Sequence, residues 1–168
     1  GRDMVMADLN ADGKPDAIVT ADTGNTVAVL LGGDSGTFGS PTTYSVGTRP
    51  YSLVAADFNK DGKIDVATAN NTSGDLSILP GNGDGTFDAA INLPVGPDLS
   101  SIATGDLNKD GHLDLIVTNT TISTAYNLSV LTGFGDGTFS TPQFHAIGDD
   151  SRPEGVLVSD INLDGNLD

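Results

Sequence analysis

Aspartate, asparagine and glycine recur at fixed positions in a stretch of nine residues that occurs four times in the chain. The first copy, DLNADGKPD, occupies residues 8–16, and DFNKDGKID, DLNKDGHLD and DINLDGNLD occupy residues 57–65, 106–114 and 160–168. All four copies, called the acidic loops below, keep Asp, Asn, Asp, Gly and Asp at positions 1, 3, 5, 6 and 9. Carboxylates this close repel one another unless they stay solvated or share a cation. Turn preference alone does not hold five positions in four places, so the pattern predicts a metal site in each loop.

The types of the fixed residues select the metal. Every fixed side chain offers oxygen, the chain contains no Cys, and neither His lies at a fixed position. This composition disfavours metals that need thiolate or imidazole ligands. Hard oxygen donors on a flexible loop suit calcium better than magnesium, which requires a tight octahedron. We therefore expect up to four Ca²⁺ ions, one in each acidic loop.

The expected ligands are the side chains at positions 1, 3, 5 and 9 and the backbone carbonyl at position 7, with Gly at position 6 allowing the sharp turn. His112, at position 7, is expected to contribute its carbonyl and not its imidazole. The full predicted set is Asp8, Asn10, Asp12, Lys14, Asp16, Asp57, Asn59, Asp61, Lys63, Asp65, Asp106, Asn108, Asp110, His112, Asp114, Asp160, Asn162, Asp164, Asn166 and Asp168.

The segments that flank the acidic loops predict strands. DAIVTA, DVATAN and DLIVTN follow the first three loops, and SLVAAD and SIATGD lead into the second and third. These are short runs rich in β-branched residues. An EF-hand instead needs a helix on each side and a Glu at position 12, where this chain has Val19, Thr68 or Val117. Each acidic loop is therefore expected to join two strands.

A second motif keeps the same period. Successive acidic loops start 49, 49 and 54 residues apart. The second motif, called the glycine turn below, is GGDSGTF at 32–38, GNGDGTF at 81–87 and GFGDGTF at 133–139. An apolar run precedes each glycine turn and a weaker alternating run follows it, so one period holds four strands. Asp-Gly favours a hairpin, and the Phe is expected to anchor it against the neighbouring repeat. This pattern predicts an all-β propeller of four-stranded antiparallel blades, with about 50 residues per blade and almost no helix.

The combination of DxNxDGxxD, a β run and GxGDGTF in tandem resembles the FG-GAP or VCBS-type repeats of integrin α-subunit propellers and of secreted microbial propellers. The resemblance extends over the whole chain and implies that calcium binds in the loop between two strands of a blade. The turns here end in GTF and lack the Gly-Ala-Pro of the integrin version, which favours the microbial type. The family also implies a seven-bladed ring, within the roughly four to eight blades usual for the fold.

The repeats divide the single propeller domain into blades at residues 1–47, 48–96 and 97–150, followed by the first strand and acidic loop of a fourth blade at residues 151–168. Three blades and one strand cannot close a ring. Open end blades would expose strand edges and apolar faces. We therefore expect a fragment of a longer propeller, with self-association as the alternative.

Charge and composition exclude several classes of function. The chain of 168 residues carries 7 basic and 23 acidic side chains, a net charge of −16, and Lys14, Lys60, Lys63 and Lys109 all lie in acidic loops. This charge excludes a basic surface for nucleic acid, and no run is long and apolar enough to predict a membrane span. The absence of Cys beside calcium loops predicts an extracellular protein, secreted or at the cell surface, that metal stabilises in place of disulfides.

These features favour a calcium-stabilised extracellular scaffold for recognition or adhesion, with a protein or glycan ligand. One alternative is a lectin with sugar sites between blades, which the low aromatic content of 5% weakens. Another is the non-catalytic propeller domain of a larger secreted enzyme. The chain itself is not expected to be an enzyme, because no nucleophile, base and orienting group occur together and His145 stands alone in a predicted outer strand. Candidate N-glycosylation sites are Asn70, Asn71, Asn119 and Asn127.

Overall fold

The computed structural model describes residues 1–120, 127–148 and 152–168. Within these residues it contains twelve strands in three four-stranded antiparallel sheets, and the helical structure is one 3₁₀ turn at Asp34–Gly36. No helix in this part of the chain has the length and apolar character that crossing a membrane requires. The predicted all-β architecture is confirmed.

Each sheet is one propeller blade whose strands follow chain order from the innermost strand to the outermost. Blade 1 contains β1 (Met4–Ala7), β2 (Asp16–Ala21), β3 (Thr26–Leu30) and β4 (Thr42–Ser45). Blade 2 contains β5 (Pro50–Ala56), β6 (Asp65–Asn70), β7 (Asp75–Leu79) and β8 (Ile91–Pro94). Blade 3 contains β9 (Leu99–Gly105), β10 (Asp114–Asn119), β11 (Leu128–Leu131) and β12 (Gln143–His145). The three blades form an open, partial propeller.

The second strand of the middle blade shows why these strands do not alternate between apolar and polar residues. All six residues of β6 are buried, because a blade lies against each face of the sheet. Val66 packs into the apolar core shared with blade 1, and Ala67 and Ala69 pack into the core shared with blade 3. A strand covered on both faces reads as a continuous buried run.

Residues from the acidic loops and from the glycine turns meet in the contacts between blades. Phe58, at position 2 of the second acidic loop, is only 3% exposed and packs edge-to-face on Phe139 of the next blade, with ring centroids 5.7 Å apart. Leu9, at the same position of the first loop, is buried in one core with Phe87. Phe87 also packs edge-to-face on Tyr44 at 5.5 Å. The glycine-turn Phe thus anchors its blade to the preceding one, as the sequence predicts.

The innermost strands are linked by hydrogen bonds from one blade to the next. Asp3 Oδ2 accepts the backbone N–H of Leu53 at 3.0 Å. At the equivalent position of blade 2, Ser52 Oγ accepts the N–H of Ile102 at 3.4 Å, and Ser101 Oγ of blade 3 accepts the N–H of Val156 at 3.3 Å. This repeated contact sets the register of neighbouring blades around the propeller axis.

The expectation of a strand ahead of the fourth acidic loop is not met. No strand is assigned within residues 152–168, although Ser159 and Asp168 exchange two backbone hydrogen bonds. A strand needs a ladder partner along its length, and within the described residues the backbone pairing of this segment is limited to Ser159 and Asp168. Ile161, the counterpart of Phe58, is 77% exposed.

Replacing Phe58 with Ala tests this packing. We expect Phe58→Ala to lower the free energy of unfolding by about 3–5 kcal/mol, because it empties a buried aromatic site between two blades. Urea denaturation measures the change. Phe134→Ala removes the same ring from a position that is 56% exposed and should stay within about 0.5 kcal/mol of the unmodified protein. Equal losses in the two variants would contradict the packing role.

Candidate metal centre

The first residue of every acidic loop organises the loop backbone. Asp8 Oδ1 accepts the backbone N–H of Asp12 at 3.1 Å, and Oδ2 accepts that of Gly13 at 2.9 Å. The same two bonds, to positions 5 and 6, recur in the other three loops at 2.8–3.1 Å. The loop therefore curls around its first carboxylate in every copy.

The residues at positions 3 and 5 continue this scheme. Asn59 Oδ1 accepts the N–H of Asp61 at 2.9 Å, and Asp61 Oδ1 accepts the N–H of Lys63 at 2.9 Å. The bond from the Lys63 N–H lowers the pKa of the Asp61 carboxyl below its ordinary value. In the same way the N–H at position 7 lowers the pKa of Asp110 and of Asp164, so these three carboxylates are held in their charged form.

The backbone turns through left-handed conformations at two positions of each loop. Gly62, at position 6, has φ of +82°, which fits the predicted need for glycine. Lys60, at position 4, has φ of +61°, and Ala11, Lys109 and Leu163 adopt the same conformation in the other loops. The sequence gives no signal for this second turn, because position 4 varies among side chains that rarely adopt positive φ.

The position-9 carboxylate is buried and joins three segments. Asp65 is 1% exposed, and its Oδ2 accepts the N–H of Phe58 at 3.0 Å while its Oδ1 accepts the N–H of Gly81 at 2.8 Å. Asp16 and Asp114 make the equivalent pair of bonds in blades 1 and 3. Burial raises the pKa of Asp65, and the neighbouring charges of Asp61 and Asp57 act in the same direction against the two N–H bonds.

The first glycine of each glycine turn is required by this contact. A Cβ on Gly81 would overlap the carbonyl oxygen of Ile64, and the same clash would occur at Gly32 and Gly133 against their own loops. The sequence predicts a hairpin turn here, and in each turn an isolated bridge joins the glycine to the Phe six residues later. The sequence of the glycine turn does not predict that its first glycine packs against the backbone of the acidic loop.

The side chains at position 7 lie over the glycine turns. Lys14 Nζ is 2.9 Å from the exposed carboxylate of Asp34, and Lys63 Nζ is 3.2 Å from Asp61. The His112 ring packs against Gly135, and within the described residues its Nδ1 is buried without a hydrogen-bond partner. Exposed ion pairs of this kind contribute little to stability, so the lysines chiefly offset local negative charge.

The donor set in each acidic loop fits a hard cation. The carboxylates at positions 1 and 5 and the amide oxygen at position 3 lie on one short loop, and the N–H bonds they accept leave further lone pairs on each oxygen. In the described residues, however, no three Asp, Glu, His or Cys side chains lie close enough to hold a metal ion by themselves. A bound cation therefore has to draw on amide and backbone oxygens, and the predicted ligand set stays a prediction.

The other candidate residues of the sequence lie away from these loops. His145 is exposed in β12, the outermost strand of blade 3, as predicted. Asn70 is fully buried and its Nδ2 donates to Asp75 and Ser77, while Asn71 Nδ2 donates to the Leu99 carbonyl. Asn127 is 6% exposed. A glycan cannot be attached to an amide nitrogen that is buried in the folded protein, so at least Asn70 and Asn71 are excluded as glycosylation sites.

The repeated loop and strand also decide the family. A family model described as an FG-GAP-like repeat matches residues 8–68 and, one repeat later, residues 57–117. The chain belongs to the FG-GAP-like repeat family. Each match begins at the first Asp of one acidic loop and ends inside the strand that follows the next loop, so the resemblance expected from the motifs is confirmed.

Among solved structures, this FG-GAP chain is similar to a lectin from Agrocybe aegerita, described as specifically recognising non-reducing terminal N-acetylglucosamine. The TM-score is 0.56 and the identity is 20%, and the likeness covers 85% of this chain and 38% of the lectin chain. The chain therefore spans well under half the length of that structure. No curated protein sequence matches the chain. The likeness supports the propeller fold.

Removing the buried carboxylate tests the clamp between loop and turn. We expect Asp65→Ala to lower the free energy of unfolding by about 2–4 kcal/mol, because two buried N–H groups lose their acceptor. Chemical denaturation in the presence of a chelator measures this loss without any contribution from metal. Asp88→Ala, at an exposed position, is the control and should change stability by less than about 0.5 kcal/mol. A loss in Asp65→Ala no larger than that of the control would refute the clamp.

Proposed function

We propose that this FG-GAP chain is part of an extracellular recognition scaffold whose blades are stabilised by calcium. The observation that carries the proposal is the acidic loop, which adopts the same hydrogen-bonded curl in all four copies although the residues between the fixed positions differ. A loop that repeats its conformation and its oxygen donors, but not its remaining residues, supports a shared role of those oxygens in binding a cation.

The charge of the chain supports a bound cation. Each acidic loop places three carboxylates within nine residues, and the whole chain has a net charge of −16. Four Ca²⁺ ions would contribute about eight positive charges at the points where the carboxylates concentrate. Lys63 offsets part of this repulsion, 3.2 Å from Asp61 of its own loop, whereas Lys14 pairs with Asp34 of the glycine turn at 2.9 Å. Calcium would offset much of the remainder.

The acidic loops are well placed to stabilise the whole propeller. The carbonyl of Leu9 in the first loop accepts the N–H of Gly85, and that of Phe58 in the second accepts the N–H of Gly137. Both donors belong to the glycine turn of the following blade. Calcium that holds a loop in shape would therefore also hold the next blade in place, which gives the ion a structural role at the interface between blades.

Thermal unfolding with and without calcium tests the proposal. We expect a higher Tm in millimolar calcium than after chelation, because a ligand that binds only the folded state adds about 2.7 kcal/mol per site at a hundredfold excess over its Kd. The double variant Asp57→Asn/Asp61→Asn should lose part of this shift, since it removes two charges from one loop. Asp88→Asn should keep the shift in full.

An equal Tm in millimolar calcium and after chelation would contradict the calcium proposal. So would a calcium-dependent shift that is as large in the double variant as in the unmodified protein. Magnesium at the same concentration should give a smaller shift, because the acidic loop offers a flexible set of oxygens and not a tight octahedron.

Glycan binding between blades is a second candidate function, favoured by a groove at the outer edge of blades 1 and 2. The groove has a volume of about 500 Å³, and Tyr44, Phe87, Asp88 and Asn92 are among its lining residues. Aromatic rings beside an amide and a carboxylate can bind the apolar face and the hydroxyls of a sugar. Leu93 occupies the equivalent position of blade 2, so the Tyr of this groove is not repeated in the next blade.

A glycan array probed in calcium and again after chelation tests this second function. We expect calcium-dependent binding that falls at least tenfold in Tyr44→Ala, because the ring forms one wall of the groove. Leu93→Ala truncates the equivalent side chain of the next blade and should retain binding. Folded protein that binds no glycan in either condition would shift the function to recognition of protein.

A further inference from the structure

A cavity of about 430 Å³ lies at the end of the innermost strands, and its lining residues are Arg2, Tyr51, Ser100, Thr120, Arg152 and Glu154. Arg2, Tyr51, Ser100 and Glu154 occupy the same position of successive repeats, six residues before the first Asp of each acidic loop. Because β1 runs from Met4 to Ala7 and then enters its acidic loop, this cavity is at the end of the blades opposite those loops.

The arginines of the chain are concentrated at this end. The chain has three, Arg2, Arg49 and Arg152, and each lies within three residues of the equivalent repeat position, whereas every lysine lies in an acidic loop. Two of the three line the cavity itself. In a chain with a net charge of −16, such segregation gives the propeller one strongly acidic end and one end that presents guanidinium groups to a ligand.

Arg2 and Tyr51 form a fixed pair in the cavity wall. The Arg2 guanidinium carbon lies 4.0 Å from the Tyr51 ring centroid, and Arg2 Nε donates to Asp22 Oδ2 at 3.0 Å. Arg49 donates through Nη2 to the Tyr51 hydroxyl at 2.7 Å. The guanidinium of Arg2 is held in place by stacking on Tyr51 and by the hydrogen bond from Nε to Asp22. Its two Nη groups form a planar fork of donors, a geometry that can bind a carboxylate through two parallel hydrogen bonds.

The opposite wall supplies a second arginine and an acceptor. Ser100 Oγ is 2.7 Å from the Pro153 carbonyl oxygen, which fixes the segment carrying Arg152 and Glu154 against blade 3. Within the described residues, neither Arg152 nor Glu154 takes part in an ion pair within 4 Å. Both side chains are exposed, so Arg152 can donate to an anion and Glu154 can accept from hydroxyl groups.

We propose that this cavity binds a sugar acid, with its carboxylate on Arg2 and Arg152 and a ring hydroxyl donating to Glu154. The proposal deepens the recognition function above and rests on it. A neutral sugar fits less well, because the Arg2 guanidinium already covers one face of the Tyr51 ring. That face cannot stack on a sugar ring, so a ligand is recognised mainly through charges and hydrogen bonds. A cationic ligand is disfavoured by two arginines against one free carboxylate in the cavity wall.

Calorimetric titration of the full chain in calcium with glucuronate, and with glucose as its neutral counterpart, tests this assignment. We expect glucuronate to bind, glucose to bind at least tenfold more weakly, and 0.5 M salt to weaken glucuronate binding because the contact is ionic. Arg152→Gln should weaken glucuronate binding by about tenfold, the loss expected when a charge-assisted contact is removed. Lys109→Gln removes one positive charge at the acidic end and should leave binding unchanged.

Two further variants test the roles assigned to Arg2 and Glu154. Arg2→Gln also removes the contacts to Asp22 and Tyr51, so its unfolding curve is measured beside its affinity. Arg152→Gln complements it, because Arg152 makes no ion pair among the described residues. Glu154→Gln keeps an acceptor and removes a repelling charge, so glucuronate binding should be retained or tightened. Loss of glucuronate binding in Glu154→Gln would overturn the proposal, because the amide oxygen can still accept the ring hydroxyl and both arginines remain to bind the carboxylate.

Equal binding of glucose and glucuronate, or unchanged affinity in Arg152→Gln, would also overturn the assignment. A chain that gains stability from calcium and binds glycans on the array, but does not bind glucuronate, would refute the sugar-acid cavity alone. A chain that shows none of these activities would refute the recognition function on which the cavity depends.

Discussion

The fold depends on a buried carboxylate that accepts two backbone N–H bonds. In blade 2 this group is Asp65, which is 1% exposed and joins the acidic loop at Phe58, the start of β6 and the glycine turn at Gly81. Hydrogen bonds to a charged acceptor are stronger than hydrogen bonds between neutral groups. Burying a carboxylate without such bonds would cost folding free energy. One side chain per blade therefore fixes the relative position of three chain segments that are up to 23 residues apart.

The consequences of this contact extend to the next blade. Once the loop is fixed, Phe58 is directed into the space between blades 2 and 3, where it meets Phe139, and its carbonyl accepts the N–H of Gly137. On the inner side, Ser52 and Ser101 accept N–H groups from the following blade. Hydrogen bonds at the axis and aromatic contacts farther out thus hold each blade to its neighbour, and calcium in the loops would reinforce the outer set.

The sequence predicted the repeat, the four-stranded blades and the anchoring Phe, because each depends on local residue types that recur at a fixed period. It did not predict the left-handed conformation of Lys60, since lysine has no preference for it and position 4 is not fixed. It also assigned Asp65 to the metal alone, whereas the structure shows this carboxylate bound to two backbone N–H groups. That second role depends on contacts between distant segments, which spacing within one loop cannot reveal.

Within residues 152–168 no strand is assigned ahead of the fourth acidic loop, although the residues before Asp160 follow the same repeat pattern as those before the other loops. A strand forms through its ladder, and within the described residues the backbone pairing of this segment is limited to Ser159 and Asp168. The loop from Asp160 to Asp168 nevertheless keeps its internal bonds. The acidic loop therefore keeps its conformation without the paired strand that precedes it in blades 1 to 3.

Anomalous diffraction from crystals of the protein grown in calcium would show whether the acidic loops bind the ion. We expect one anomalous peak in each acidic loop, surrounded by about six to eight oxygen atoms at about 2.3–2.6 Å, with Asp57 and Asp61 among the ligands of the second. Acidic loops without a peak, in which these carboxylates bond only to backbone N–H groups, would contradict it.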